Sequence, residues 1–226
     1  MSSVLAISSR VASGHVGLSA VEPALHMLGH EVIALPTVIL SNHPGHPHVA
    51  GFRVAPADLV KMADALDANG RLASVETVLT GYLPSPDHVA AARAIFERVK
   101  AHNPAAELLC DPVLGDDPKG LYIDEAAAIA LRDNLLPLAA VAFPNRFELQ
   151  WLSGKPVADA AQAVSAARAL PCSTTIATSI PQLGDGGRPL LATIGITAHS
   201  ADACLSIHRA KVPNGTGDLL AGLYAA

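Results

Sequence analysis

The stretch "KVPNGTGDLLAGLYAA", residues 211–226, joins a glycine-rich turn to an apolar run. Glycines at 215 and 217 let successive N–H groups point into one space, and the run behind them reads as a helix beginning near Gly217. A turn of that kind opening a helix is an anion site. Asp218 stands beside it, where a carboxylate is electrostatically awkward unless it caps the helix or does chemistry. Both readings remain open on this stretch alone. The helix would place Leu219, Leu220 and Leu223 largely on one side, and so short a helix is marginal by itself.

Upstream, short β-branched or Leu-rich runs alternate with Ala-rich amphipathic stretches, the pattern of βαβ units that cover both faces of a mostly parallel sheet. Strands are expected near residues 4–8, 31–35, 77–80, 108–110, 141–143 and 174–177. Helices are expected near 17–29, 57–69, 87–102, 124–134, 147–153 and 157–170. Residues 189–197 and 203–212 read as an antiparallel strand pair, because too few residues separate them for a crossover helix.

The composition fits this fold class. Half of the 226 residues are apolar and only 15% are charged, far from the balance of a disordered chain. A net charge of −5 without a Lys/Arg run argues against nucleic acid or an anionic membrane as partner, and for a small-molecule ligand. Cys110, Cys172 and Cys204 are far apart and lack zinc spacing, so they read as reduced thiols of a cytoplasmic protein. The N-terminal stretch "MSSVLAISSRVASG" has neither the basic start nor the apolar length of a signal peptide.

In an open parallel sheet, ligands sit beyond the carboxyl ends of the strands. The polar clusters fall there: Ser9, "SNHPGHPH" after the second strand, Gly81–Tyr82, "DPVLGDD", "PNRFE", Thr178–Ser179 and "NGTGD". Asp111, Asp116 and Asp117 in "CDPVLGDD" suit a hard cation shared with phosphate oxygens, and Mg²⁺ needs only one or two such carboxylates. The same residues also read as an Asp-Pro turn and a solvated loop. Asn145 and Glu148 in "NRFE" have the spacing of a capping box, which is compatible with a role in the site. Thr178 and Ser179 could bond phosphate oxygens or begin a turn. His43, His46 and His48 share a loop but lack the further ligands of a metal cluster. A P-loop motif and GxGxxG are both missing from the sequence.

Taken together, "VLAISSRVASGHVG", "SNHPG", "LTGYL", "CDPVLGD", "PNRFEL", "TS" and "NGTGD" resemble, in order and spacing, the pyridoxal kinases of the ribokinase superfamily. The resemblance implies a ribokinase-like α/β fold and phosphorylation of the 5′-hydroxymethyl group of pyridoxal by ATP with Mg²⁺. It implies that Asp218 is the catalytic base and that Gly215, Thr216 and Gly217 form the anion hole for the transferring phosphoryl group. Ser9, His43 and Tyr82 would contact the pyridine ring. Asp111, Asp116 and Glu148 would lie in the magnesium and phosphate region, with Asp111 and Glu148 nearest the metal, and Thr178 and Ser179 would face ATP. A homodimer is implied by the resemblance only.

Three departures accompany it. Pro44 stands where many members carry Thr, Phe143 where relatives often carry Thr before "PN", and relatives continue past "GTGD" with further elements around adenine. The expectation is one kinase domain over residues 1–226 without those elements, weak in ATP binding. A hydroxymethylpyrimidine kinase shares the architecture, and a non-catalytic vitamin-binding relative would keep the pocket while losing ATP.

Overall fold

The computed structural model describes residues 3–209 and 211–226. Strand β1 (Ser3–Ser13) shows how the layers arise: Val4 and Ala6 belong to one buried cluster, Leu5 and Ile7 to another on the opposite face. A two-residue period buried on both sides needs helices on both sides. In chain order follow α1 (Leu18–Met27), β2 (Glu31–Asn42), β3 (Gly51–Arg53), α2 (Pro56–Ala68), β4 (Val75–Thr80) and α3 (Pro86–His102). Next come β5 (Glu107–Cys110), β6 (Gly115–Asp116), β7 (Gly120–Leu121), α4 (Glu125–Ala130), β8 (Val141–Ala142), α5 (Arg146–Ser153) and α6 (Ala160–Ala167). The last elements are β9 (Thr174–Leu183), β10 (Pro189–Thr197), β11 (Ala201–Ile207) and α7 (Thr216–Tyr224).

Nine strands form one sheet in the order β11-β10-β9-β8-β5-β4-β1-β2-β3, while β6 and β7 make a separate hairpin. The run from β2 to β9 is parallel; β3, β10 and β11 are antiparallel to their neighbours. Helices α1 and α7 cover the face of Val4, Ala6, Leu79 and Leu109, and the other helices pack on the face of Leu5, Ile7, Val78 and Leu108. This is the mostly parallel α/β sheet with an antiparallel pair near its end that the sequence predicts.

Several bounds differ for physical reasons. The second strand runs on through Ser41 and Asn42, because β1 pairs with it as far as Ser13 opposite Asn42; β3, a short strand the sequence analysis missed, pairs with Val38–Leu40 on its other edge. The helix expected over 124–134 is α-helical only to Ala130 and then widens and tightens before Pro137, whose missing N–H cannot continue the ladder. The helix expected over 157–170 starts later, where the Asp159 side chain accepts from Gln162 N–H at 2.8 Å. β11 ends at Ile207 rather than near 212.

The helix after the glycine turn buries a different face from the one its leucines suggest. Leu219 and Leu223 are exposed, while Ala221, Gly222 and Ala225 are buried. A Cβ on Gly222 would lie 3.3 Å from Val21 Cα, so α7 approaches α1 too closely for large side chains between them. At the far end of α7, the rings of Phe143 and Tyr224 meet edge to face, centroids 5.2 Å apart. Phe143 thus anchors the last turn of α7 where a threonine could not.

This packing separates two substitutions. Gly222→Ala should stay within about 1 kcal/mol of the parent, because better helix propensity offsets the crowding. Gly222→Leu should lose about 1–3 kcal/mol by forcing α7 off α1. Urea unfolding measures both, and a leucine variant with the parent's midpoint would contradict the seating of α7 on α1.

Candidate active site

Two glycines bring the ends of β1, α1 and α7 together. Gly17, at the start of α1 with φ 55°, has no room for a Cβ: one would stand 2.2 Å from the Ser9 carbonyl oxygen. Gly215, with φ 90°, would place a Cβ 1.7 Å from the His15 carbonyl oxygen. Both positions need a conformation that side chains avoid and an approach that side chains block. Helix α7 therefore opens directly against the β1–α1 turn. Its first bond runs from Leu219 N–H to Gly215 O at 2.9 Å, and among the described residues Thr216 and Gly217 N–H have no acceptor.

Half-buried Asp218 sits in this first turn. Burial raises its carboxyl above the usual carboxylate range, and the N–H of Gly17, the charge of His43 and its own N–H pull the other way. It lines a small cleft with Ser8, Thr80, Gly81 and Asp111. Asp111 follows β5, where its N–H donates to Thr80 O at 2.8 Å. Its buried carboxyl is held well above the usual range by burial, then by the charges of Asp218 and Glu148. Among the described residues no Lys or Arg pairs with Asp111, Glu148 or Asp218.

Glu148 occupies its oxygens fully. Oε1 accepts Leu114 N–H at 2.9 Å and Gly115 N–H at 3.4 Å; Oε2 accepts Asn145 N–H at 2.9 Å. Asn145 Oδ1 accepts Glu148 N–H at 3.0 Å, which completes the capping box that the spacing predicts. Burial nonetheless pushes the Glu148 carboxyl up to about 8, against the three N–H donors. Asn145 Nδ2 also donates to Gly115 O at 2.8 Å, and Arg146 pairs with Asp117, so the β6–β7 hairpin is tied to the start of α5.

Asp116 lies on this hairpin, exposed, with Oδ1 accepting Asp117 N–H at 2.8 Å. Tyr122, just beyond the hairpin, is a residue the sequence analysis missed. Its side chain is half exposed, and burial, then the charges of Glu148, Asp111, Asp116 and Asp218, raise its phenol pKa.

The residue types fit Mg²⁺. Asp111 offers a buried carboxylate that accepts no hydrogen bond among the described residues, and hard oxygen is the donor this ion selects. Glu148 would stand behind it, since its oxygens already accept N–H groups. No group of three or more His, Cys, Asp or Glu among the described residues is arranged to hold a metal by itself, the three loop histidines included.

On the other side of the cleft, Ser8 Oγ accepts Tyr82 N–H at 3.1 Å and Thr37 Oγ1 donates to Tyr82 O at 2.7 Å. Buried Thr37 falls where β2 carries one extra residue opposite Ser8–Arg10 of β1. Tyr82 is thus fixed through its backbone by two residues that the sequence reading passed over, although strand alternation points Ser8 inward. Ser9 and Tyr82 are half-buried.

His43 stands at the head of a loop stapled by its neighbours. Ser41 Oγ accepts Ala50 N–H at 3.0 Å, and Asn42 Nδ2 donates to the carbonyls of His43 and His48 at 3.2 and 3.1 Å. Burial, Lys119 and His46 lower the His43 pKa, while Asp218 raises it. Thr178 and Ser179 occupy an irregularity in β9, where Ser179 has φ 61°. Thr178 N–H donates to Pro144 O at 3.0 Å, which sets this pair beside Asn145 rather than beside the Asp111–Asp218 cleft.

Comparison with known proteins adds the following. A family profile described as phosphomethylpyrimidine kinase matches residues 13–181. Pyridoxal kinase PdxY of Corynebacterium diphtheriae is 32% identical over 98% of this chain and 79% of its own length. Pyridoxal kinase PdxY of Actinobacillus succinogenes is 36% identical over 100% of this chain and 80% of its own. The structure of Leishmania donovani pyridoxal kinase with ADP and pyridoxamine superposes with a TM-score of 0.85 at 33% identity, covering 99% of this chain and 81% of that one.

Glu148 sets a pH dependence of stability. A carboxyl at about 8 when folded, against 4.5 ordinarily, holds a proton in the folded state that the unfolded chain releases. Its contribution to stability therefore falls as pH rises from about 4.5 to about 8. Glu148→Gln should flatten that slope and, by turning an amide NH₂ toward backbone N–H groups, cost about 1–3 kcal/mol throughout. Urea unfolding at both ends of the window tests this; equal slopes in parent and variant would contradict it.

Proposed function

The chain belongs to the phosphomethylpyrimidine kinase family, with pyridoxal kinases among its relatives, and on that premise we propose that it phosphorylates the 5′-hydroxymethyl oxygen of pyridoxal and related B6 vitamers from ATP. The observation that carries the reading is the convergence of Asp111 and Asp218 on one cleft, at a helix N-terminus with free N–H groups. Phosphoryl transfer asks for positioning and charge compensation more than for covalent chemistry, and this arrangement supplies both.

Asp218 is the base. Its raised pKa brings it nearer to the working range of a proton acceptor, and the Gly17 N–H keeps its anion available. The acceptor oxygen attacks as its proton passes to the Asp218 carboxylate. Negative charge on the transferring group is met by the N–H groups of Gly215, Thr216 and Gly217 and by the N-terminal end of α7. Mg²⁺, when bound, offsets the charge of the triphosphate. Asp111 would hold it, with Glu148 behind. Ser9, His43 and Tyr82 would orient the ring, and Thr178, Ser179 and Asp116 would face the nucleotide.

The same reading carries a cytoplasmic setting, which three free thiols support, and a homodimer. Among the described residues no helix is long and apolar enough to cross a membrane. A second reading, a hydroxymethylpyrimidine kinase, rests on the matching family, which is named for a phosphomethylpyrimidine. Turnover on the two acceptors side by side decides between them, and preference for the pyrimidine would overturn the pyridoxal reading.

Asp218→Asn should leave the fold and pyridoxal affinity nearly intact, because the amide is close to isosteric, while lowering kcat by about 10²-fold or more. Steady-state kinetics with calorimetric binding of pyridoxal measures both effects. A variant that keeps more than about half of the parent's turnover would remove Asp218 from the role of base.

A further inference from the structure

One hydrogen bond joins the His43 loop to the anion-hole loop. Asn214 Nδ2 lies 3.2 Å from His43 Nδ1, and Gly45 N–H donates to the same nitrogen at 3.0 Å. A backbone N–H can only donate, so Nδ1 is an acceptor and the neutral ring carries its proton on Nε2. The Asn214 amide, next to Gly215, adds a second N–H to that single lone pair. Gly45 itself is constrained, since a Cβ there would fall 2.9 Å from Nδ1.

We propose that Asn214 is a positioning residue: by adding its amide N–H to the Gly45 N–H at His43 Nδ1, it ties the loop beside the acceptor to the loop that stabilises the transferring phosphoryl group. The kinetic part of this inference rests on the kinase reading above. His43 thereby presents an N–H donor, of fixed direction, on the ring edge away from Nδ1, and the acceptor's side of the site is registered to Asp218 through three intervening residues of chain. Protonation of Nδ1 would expel both donors, so the bridge exists only while His43 is neutral. The charged and titratable groups facing His43 are Lys119 from the β6–β7 turn, His46 from its own loop and Asp218 from α7. Lys119 and His46 favour the neutral ring, as the two donors do, and Asp218 opposes them.

The test begins without turnover. Long-range ¹H–¹⁵N spectra of the intact chain should show His43 as the Nε2–H tautomer in the parent and, because the Gly45 N–H remains, in Asn214→Leu, whose ring should protonate at higher pH. Kinetically, Asn214→Leu should raise KM for pyridoxal about three- to tenfold, the worth of one hydrogen bond, with kcat and KM for ATP within about twofold. The acid limb of kcat/KM should move to higher pH, and Asn214→Gln, which keeps an amide donor, should recover part of the loss. In a His43→Phe background, Asn214→Leu should add less than about twofold. An Nδ1–H tautomer in the parent, or effects of the two substitutions that multiply independently, would overturn the proposal. Absence of pyridoxal turnover in the parent would instead overturn the kinase reading, and the His43 protonation midpoint, parent against Asn214→Leu, would still decide the role of Asn214: equal midpoints would overturn it.

Discussion

The site depends on a backbone approach that leaves no room for a side chain. Gly215 lies against the His15 carbonyl and Gly17 against the Ser9 carbonyl, so the start of α7, the start of α1 and the end of β1 meet at main-chain distance. With a Cβ at either glycine, the N-terminus of α7 would stand away from the sheet, and the Gly17 N–H would not face Asp218. The small face of α7, Ala221, Gly222 and Ala225, continues the same close approach along α1. Helix dipole, free N–H groups and base are delivered to the strand ends by one packing contact.

That contact creates an electrostatic problem with functional meaning. Asp111 and Asp218 share a cleft, Glu148 lies near, and among the described residues no Lys or Arg pairs with any of the three. Burying carboxylates without partners is unfavourable, and raised pKa values are the visible consequence. A fold selected only for stability would place an apolar residue at Asp111. Groups held in this state are suited to bind what the protein lacks, a divalent cation beside a polyphosphate, and to receive a proton from an alcohol. Glu148 differs in kind: three backbone N–H donors make it the support on which the Leu114–Gly115 turn and the start of α5 rest.

Much of this was legible in the sequence, for identifiable reasons. Alternation of β-branched and Ala-rich runs reported the parallel strands because each strand is buried on both faces. Asn145 and Glu148 announced their capping box because it is a local interaction at fixed spacing. What the sequence concealed is tertiary. The leucines of α7 pointed to the wrong face, since the close approach to α1 rewards absence of side chain rather than apolarity. Ser8 and Thr37 reach the site through strand pairing that no local signal marks. Asn214 meets His43 across a separation in sequence that only the folded chain closes.

The central claim is that the buried carboxylates form a cation site, and thermal unfolding with and without MgCl₂ tests it most directly. At about pH 8, where the carboxylates are most ionised, Mg²⁺ should raise Tm by several degrees, and at about pH 5.5 by much less, because protons compete for the same oxygens. Asp111→Asn should abolish the difference. An increment equal at the two pH values, or unchanged in Asp111→Asn, would contradict the account.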